Sequence, residues 1–424
     1  MFWKSPTVRI LAGLLIGLAA GAYLASIRVD WLPQAYAATD ALGGVWLDAL
    51  KMTIIPLVFA LLVVGVAQTA GTVKAGGLAG MALIAFALLL LLSATVAAIA
   101  TPPLLDAWPA PAAAAQALRA AGHKTAFVPP PSQSIGDLLG SFVPANPVKA
   151  AADGAMASIV VFALAVGLAA SQLQEARRRI LFDFFDALQA AMMVIVGWVL
   201  WAAPVGVMLL SFGVGAKTGV GAVGVLGHYV AIVSIMCLAG GVIGVFVALI
   251  GGRVPIGRLI AALIPVEAMA ISTQSSLASL PVMIDACDRL GVPERARDLV
   301  LPMAVAVMRI TSPAGNLAVV IYIAHLYGIP LDPGKLAIGV VVACLVSLAA
   351  VGVASSVTFF TTLVPISMAM GLPMDLLPLF LAVETLPDFS RTIGNVTADV
   401  GVTAMAGRWA GQKAAPGGSE TPAG

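Results

Sequence analysis

Long apolar runs dominate the chain, and the places where polar residues interrupt them change halfway along. Runs such as 81–101 and 223–250 match the roughly 20 apolar residues needed to cross a hydrocarbon core. Backbone groups must be satisfied internally in lipid, and strand-like alternation is missing from these runs, so they predict helices. Spans are expected at 9–27, 46–70, 77–102, 150–171, 183–212 and 222–250. From 259 onward the pattern differs. Segment 259–290 turns polar at Ser272-Thr273-Gln274-Ser275-Ser276. Segment 296–325 is interrupted at Arg309-Ile310-Thr311-Ser312-Pro313, segment 337–370 around Ser355 to Pro365, and segment 376–406 carries a charged face. Hydrophobic stretches broken in corresponding places point to a transport site built from discontinuous helices.

Composition agrees with a membrane protein. Of 424 residues, 61% are hydrophobic and only 10% charged, against about a quarter charged in a soluble domain. The net charge of +2 identifies no acidic partner, and nothing indicates nucleic acid. The three cysteines, Cys237, Cys287 and Cys344, have no paired spacing, so buried thiols are expected rather than a disulfide or metal framework. Lys4 and Arg9 followed by Ile10 to Ala25 could open a signal peptide. The run is long for one, and an uncleaved first transmembrane helix is the expectation.

Basic residues set the orientation. Lys4, Arg9, Lys74, Arg177 to Arg179, Arg253, Arg258, Arg289, Arg295, Arg297, Arg408 and Lys413 all fall on the cytoplasmic side if the N-terminus is inside. That requires 259–290 to be a re-entrant hairpin entering from the cytoplasm and 337–370 a hairpin entering from outside. The expected fold is therefore all-α and polytopic, with eight transmembrane helices, two re-entrant hairpins and both termini cytoplasmic. The Pro/Ala-rich stretch 103–145 reads as an extracellular loop and 411–424 as a disordered cytoplasmic tail.

The densest chemistry lies at 384–399, where Glu384, Asp388, Arg391, Thr392, Asn395 and Asp399 sit in an otherwise apolar segment. A charge at a helix centre costs about 2.5–3.5 kcal/mol on insertion scales. Asp388, Thr392, Asn395 and Asp399 are spaced 4, 3 and 4 apart and share a helix face, with Arg391 close to it. A structural ion-pair network would explain this. A face with both signs, an amide and a hydroxyl better suits an anionic or zwitterionic ligand and a coupling cation. In Gln274-Ser275-Ser276-Leu277-Ala278-Ser279-Leu280-Pro281, a hairpin tip leaves backbone N–H groups free for an anion. The same hydroxyls can equally bond their own helix carbonyls. Arg309 lies about ten residues from its nearest run end, which makes snorkelling difficult. His228 and His325 are lone histidines that read as packing residues. No nucleophile–base pair or metal-ligand cluster suggests an enzyme.

These residues resemble the dicarboxylate/amino acid:cation symporter family, the glutamate-transporter homologues. Lys51-Met52 with Pro56 to Ala60 is similar to the family's second helix, Pro144-Ala145-Asn146-Pro147 to its PxNP turn, and Ala203-Pro204-Val205-Gly206 to its APxG. Ser275 to Pro281 is similar to the serine-rich SSSxTLP tip. Asp388-Phe389-Ser390-Arg391-Thr392-Ile393-Gly394-Asn395-Val396-Thr397-Ala398-Asp399 is close to DxxRTxxNxxxD in the last helix.

The resemblance implies inverted repeats, an elevator mechanism and a homotrimer in membrane lipid. Scaffold helices would lie at 1–76 and 146–221, and a transport domain at 77–102, 222–258 and 259–410. It implies that Asp388 holds a substrate amino group, Arg391 a side-chain carboxylate, and Asn395 a backbone carboxylate aided by amides near Ser275 and Ser276, with Thr392 alongside. Asp399 would ligate a cation, sodium if sodium binds. The departures concern coupling. Where the family has NMDGT stand Val307-Met308-Arg309-Ile310-Thr311, and the stretch near Phe86 to Leu92 lacks the Tyr, Thr and Ser of a sodium site. The second hairpin tip, taken as Thr358-Phe359-Phe360-Thr361-Thr362, is not Gly-rich.

The implied function is symport of acidic amino acids or C4-dicarboxylates across a bacterial-type inner membrane, without a cofactor, coupled to H+ or Na+ or uncoupled. Arg309 would stand in for a cation, and Glu384 or Asp399 would titrate. An anion channel or non-transporting receptor on the same scaffold is the alternative.

Overall fold

The structure, a computed structural model, describes residues 6–27, 29–74, 77–111, 115–116, 143–218, 221–349 and 355–414. The described residues are helical apart from short turns. In chain order the helices are α1 (Pro6–Ser26), α2 (Leu32–Lys74), α3 (Gly77–Ala107), α4 (Pro147–Ala152), α5 (Met156–Ser171), α6 (Glu175–Trp201), α7 (Ala203–Thr218) and α8 (Gly221–Phe246). They continue with α9 (Ile256–Thr273), α10 (Leu280–Leu290), α11 (Glu294–Val307), α12 (Thr311–Tyr327), α13 (Pro333–Ala349), α14 (Ser355–Ala369), α15 (Leu377–Val383) and α16 (Thr385–Ala414). Among the described residues, seven continuous apolar segments are long enough to cross a membrane.

Two groupings position the site. α1 lies along α7, and α2 packs on α5, α6 and α7. The approach of α1 to α7 is close because a Cβ on Gly13 would meet the Pro204 carbonyl oxygen at 2.2 Å. In the other grouping, α8, α11 and the π-helical turn Val247–Gly251 surround α16, while α12 sits between α3 and α8. The α8–α16 crossing uses small residues. A Cβ on Gly241 would meet the Cα of Gly394 at 3.0 Å, and one on Gly401 would meet the Gly244 carbonyl oxygen at 2.3 Å. Without a hydrophobic drive in lipid, such close backbone approach is what lets helices pack.

The predicted breaks fall where polar residues interrupt the apolar runs. α9 ends at Gln274, which adopts a left-handed conformation (φ 51°), and after the turn at 275–279 the chain packs back as α10. The run 296–325 separates into α11 and α12 at 308–310. The run 376–406, read as one helix with a charged face, shows a break that was not expected, separating at Glu384 into α15 and α16.

Four expectations need correction. The single span read at 183–212 is two abutting helices, α6 and α7. Pro204 has no N–H to continue the ladder, and the N–H groups of Val205 and Gly206 both turn to the Ala202 carbonyl. The second reversal does not lie at Thr358–Thr362, which is inside α14. Residues 350–354, between α13 and α14, lie outside the described residues. The loop read at 103–145 begins later, because α3 runs on to Ala107 through Pro102 and Pro103, and most of that stretch is outside the described residues. The tail read at 411–424 begins later, since α16 extends to Ala414, and 415–424 lie outside the described residues.

Candidate functional site

Two helix breaks of the C-terminal half, with α12, α14 and α16, supply the site. α16 presents Asp388 in its first turn and Arg391 one turn on. The α15–α16 junction supplies Glu384, the α11–α12 break supplies Arg309, and α12 supplies Ser312 and Asn316. These six residues, with Phe359 and Thr362 from α14, line one cavity.

Arg391 organises the cavity. It is only 8% exposed. Its Nε donates to Glu384 Oε1 at 2.9 Å, and its Nη1 donates to Asn316 Oδ1 at 3.1 Å. Nη2 lies 2.8 Å from the same Glu384 oxygen, but its N–H bonds are not aimed at it, and Nη2 has no hydrogen-bond partner among the described residues. Glu384 is held in turn by Tyr229, whose hydroxyl donates to Oε2 at 2.8 Å. Tyr229 is fixed by a stacked contact with Phe380, centroids 4.1 Å apart. Gly315 makes room for the guanidinium, since a Cβ there would come within 2.7 Å of Nη1.

A second layer lies deeper along α16. The Asn395 side-chain oxygen accepts from the Thr311 N–H (3.1 Å) and hydroxyl (2.9 Å), and the same hydroxyl reaches the Arg391 carbonyl at 3.2 Å. On the other side of the α11–α12 break, the Ser93 hydroxyl of α3 donates to the Ile310 carbonyl at 2.6 Å. The turn carrying Arg309 is thereby tied to two helices. Asp399 is 1% exposed, and its Oδ1 has no hydrogen-bond partner among the described residues. The charge acting on it is that of Arg309, although no ion pair joins the two among the described residues.

The residues predicted from sequence thus fall into three groups. Asp388, Arg391, Glu384 and Arg309 come together in the cavity. Thr392, Asn395 and Asp399 do not line it. The Thr392 hydroxyl donates to the Asp388 carbonyl at 2.9 Å within its own helix. Ser275 and Ser276 sit half-buried at the α9–α10 turn, where the Ser275 hydroxyl accepts from the Ala278 N–H at 3.2 Å. Gln274 Nε2 reaches from this turn to the Thr385 carbonyl at 3.5 Å. Sequence reasoning did not single out Tyr229, Asn316 or Ser93. An amide inside an apolar run was a usable signal for Asn316, as was a hydroxyl needing a buried partner for Tyr229.

A bundle of apolar helices with a charged, hydrogen-bonded cavity at its helix breaks defines a multi-pass membrane transporter rather than an enzyme. The chain belongs to the sodium:dicarboxylate symporter family, whose profile matches residues 7–409. It is 33% identical over 268 residues to excitatory amino acid transporter 4 of Mus musculus, covering 61% of this chain but only 46% of that protein's length. It is 25% identical over 425 residues to C4-dicarboxylate transport protein 2 of Pseudomonas paraeruginosa (97% of this chain, 92% of that one). It is 28% identical over 412 residues to the proton/glutamate-aspartate symporter of Escherichia coli (95% and 92%).

Proposed function

We propose that this chain is a secondary active transporter of small anionic or zwitterionic carboxylates, acidic amino acids or C4-dicarboxylates, bound in the Arg391 cavity. The observation that carries this reading is the Nη2 of Arg391. It is a buried donor, ion-paired to Glu384 at 2.8 Å but with no hydrogen-bond partner among the described residues, on a residue that lines the same cavity as Asp388. A carboxylate would complete the guanidinium fork, and Asp388 would receive an ammonium where the substrate has one. Thr392, Asn395 and the turn at Ser275 and Ser276 adjoin the cavity as further substrate contacts once the site closes. The names of the relatives, which include a C4-dicarboxylate transport protein and a glutamate-aspartate symporter, favour the same substrate classes.

In this reading the chain has eight membrane spans and two hairpins, with both termini cytoplasmic, in a bacterial-type inner membrane. The α1, α2 and α4–α7 grouping is the fixed scaffold of a homotrimer. The α3 and α8–α16 grouping carries the cavity across the bilayer as an elevator. Coupling passes to protons or is absent. Arg309 holds a permanent positive charge near Asp399, which leaves a bound sodium ion less to neutralise.

Purified protein in liposomes, offered a panel of amino acids and dicarboxylates with sodium and proton gradients imposed separately, tests the reading. Saturable uptake with counterflow of a small carboxylate is expected. Conductance without counterflow, or no carboxylate uptake at all, overturns it.

A further inference from the structure

We infer that Arg309 is a substrate-binding residue, whose guanidinium takes one carboxylate of a dicarboxylic substrate while Arg391 takes the other. The inference rests on the transport reading above and adds to it the residue that demands a second carboxylate.

Arg309 is held in place by its backbone and not by its side chain. Ser93 fixes the Ile310 carbonyl, and Asn395 fixes the Thr311 N–H, on either side of the break. Arg309 lines the cavity, and its guanidinium makes no hydrogen bond or ion pair among the described residues. The charges Arg309 feels are, in order of strength, Asp388, Arg391 and Asp399. The first two line the same cavity.

Two guanidinium groups facing one cavity repel each other. Glu384 offers limited relief, because its two oxygens are committed to Arg391 and Tyr229. An anion lying between the guanidiniums removes the repulsion and supplies the missing acceptors. Guanidinium presents a planar fork that matches a carboxylate, so two forks select two carboxylates. Arg309 also stands just before the first turn of α12, a helix of 17 residues, whose positive end adds to the attraction for an anion. Ser312 in that turn lines the cavity with it.

A pair of ligands that differ by one carboxylate isolates the claim. The full chain in detergent is titrated with succinate and with butyrate, which has the same carbon count and one carboxylate. The wild type should prefer succinate. Arg309→Met should weaken succinate roughly 30-fold or more, leave butyrate unchanged and so erase the preference. Arg309→Lys, which keeps the charge and loses the fork, should fall between. Wild-type succinate affinity in the methionine variant, or equal losses of both ligands, overturns the inference. If the methionine variant does not fold, the lysine variant decides, and wild-type affinity there also overturns it. Loss of succinate preference in Arg391→Met but not in either Arg309 variant removes Arg309 alone. A wild type that binds no carboxylate removes the transport reading itself.

Discussion

Arg391 and Glu384 hold each other across the α15–α16 junction, with Nε 2.9 Å and Nη2 2.8 Å from the same carboxylate oxygen. The pair places the cavity's strongest cation against its own internal counter-ion. An incoming carboxylate therefore meets a guanidinium that is already oriented and is still one donor short of satisfied. Preorganisation of this kind lowers the cost of binding.

Removing the counter-ion should be costly. Glu384→Gln leaves a buried guanidinium uncompensated, a change of about 3–5 kcal/mol when one partner of a buried pair is lost. Tyr229→Phe removes only the hydroxyl that holds the carboxylate, about 1.5–3 kcal/mol for a hydrogen bond to a charged group. Thermal denaturation in detergent should rank the variants wild type, Tyr229→Phe, Glu384→Gln in falling stability. Added dicarboxylate should raise the midpoint of Glu384→Gln more than that of the wild type, because the ligand replaces the missing charge. An equal ligand-induced shift in both proteins contradicts the placement of the pair at the binding site.

Gly315 gives a test that changes no charge. A Cβ there would lie 2.7 Å from Arg391 Nη1 and 2.7 Å from Cys237 Sγ. The cysteine is buried and both close atoms are side-chain ends, so the guanidinium and the thiol share the shift. Gly315→Ala should weaken carboxylate binding by about tenfold, as expected when a positioned group moves by an ångström or less. Stability should fall much less than affinity. Calorimetric titration beside a melting curve separates the two, and an unaltered affinity would show that Arg391 does not set the site.

Much of the architecture was legible because a bilayer makes sequence speak plainly. The apolar runs gave the helices, and the breaks at Gln274 and at Met308 to Ile310 followed the polar residues, whereas the break at Glu384 was not foreseen. The split of 183–212 was missed because Trp201 to Pro204 is as apolar as its flanks, and only the missing N–H of Pro204 marks the junction. The cavity was half legible. Asp388, Arg391, Glu384 and Arg309 stood out as charges in apolar surroundings. Their partners Tyr229, Asn316 and Ser93 come from helices distant in sequence, and spacing along one helix says nothing about which helix will face it.

Ser93 links the site to α3, and its loss should loosen the Arg309 turn. The Ile310 carbonyl has the Ser93 hydroxyl at 2.6 Å in a buried setting. Hydrogen bonds between membrane helices are worth about 0.6 kcal/mol on average and up to about 1.7 kcal/mol, and a short, fully buried one belongs near the top of that range. Ser93→Ala should therefore lower stability by about 1–2 kcal/mol. It should also speed hydrogen exchange at 308–312 while leaving α14 unaffected. Exchange confined to α3 would mean that the bond does not support the turn.

The remaining prediction concerns sodium. Asp399 is the deepest acid of the site, with one oxygen lacking a hydrogen-bond partner among the described residues, and the positive charge acting on it belongs to Arg309. Arginine stays protonated even when buried, so this charge is present in every state of the transport cycle. A cation that entered beside Asp399 would meet repulsion from Arg309 as well as attraction from the acid. Its affinity for the substrate-loaded and empty forms would then differ little, and a ligand without differential affinity shifts no equilibrium. Substrate affinity in detergent should accordingly be nearly the same with sodium, potassium or choline as the only cation, and should follow pH if protons take over the coupling. A steep rise in affinity specific to sodium would show that a sodium site persists despite Arg309. In that case Arg309→Met should strengthen the sodium effect, since it removes the repulsion and leaves Asp399 in place.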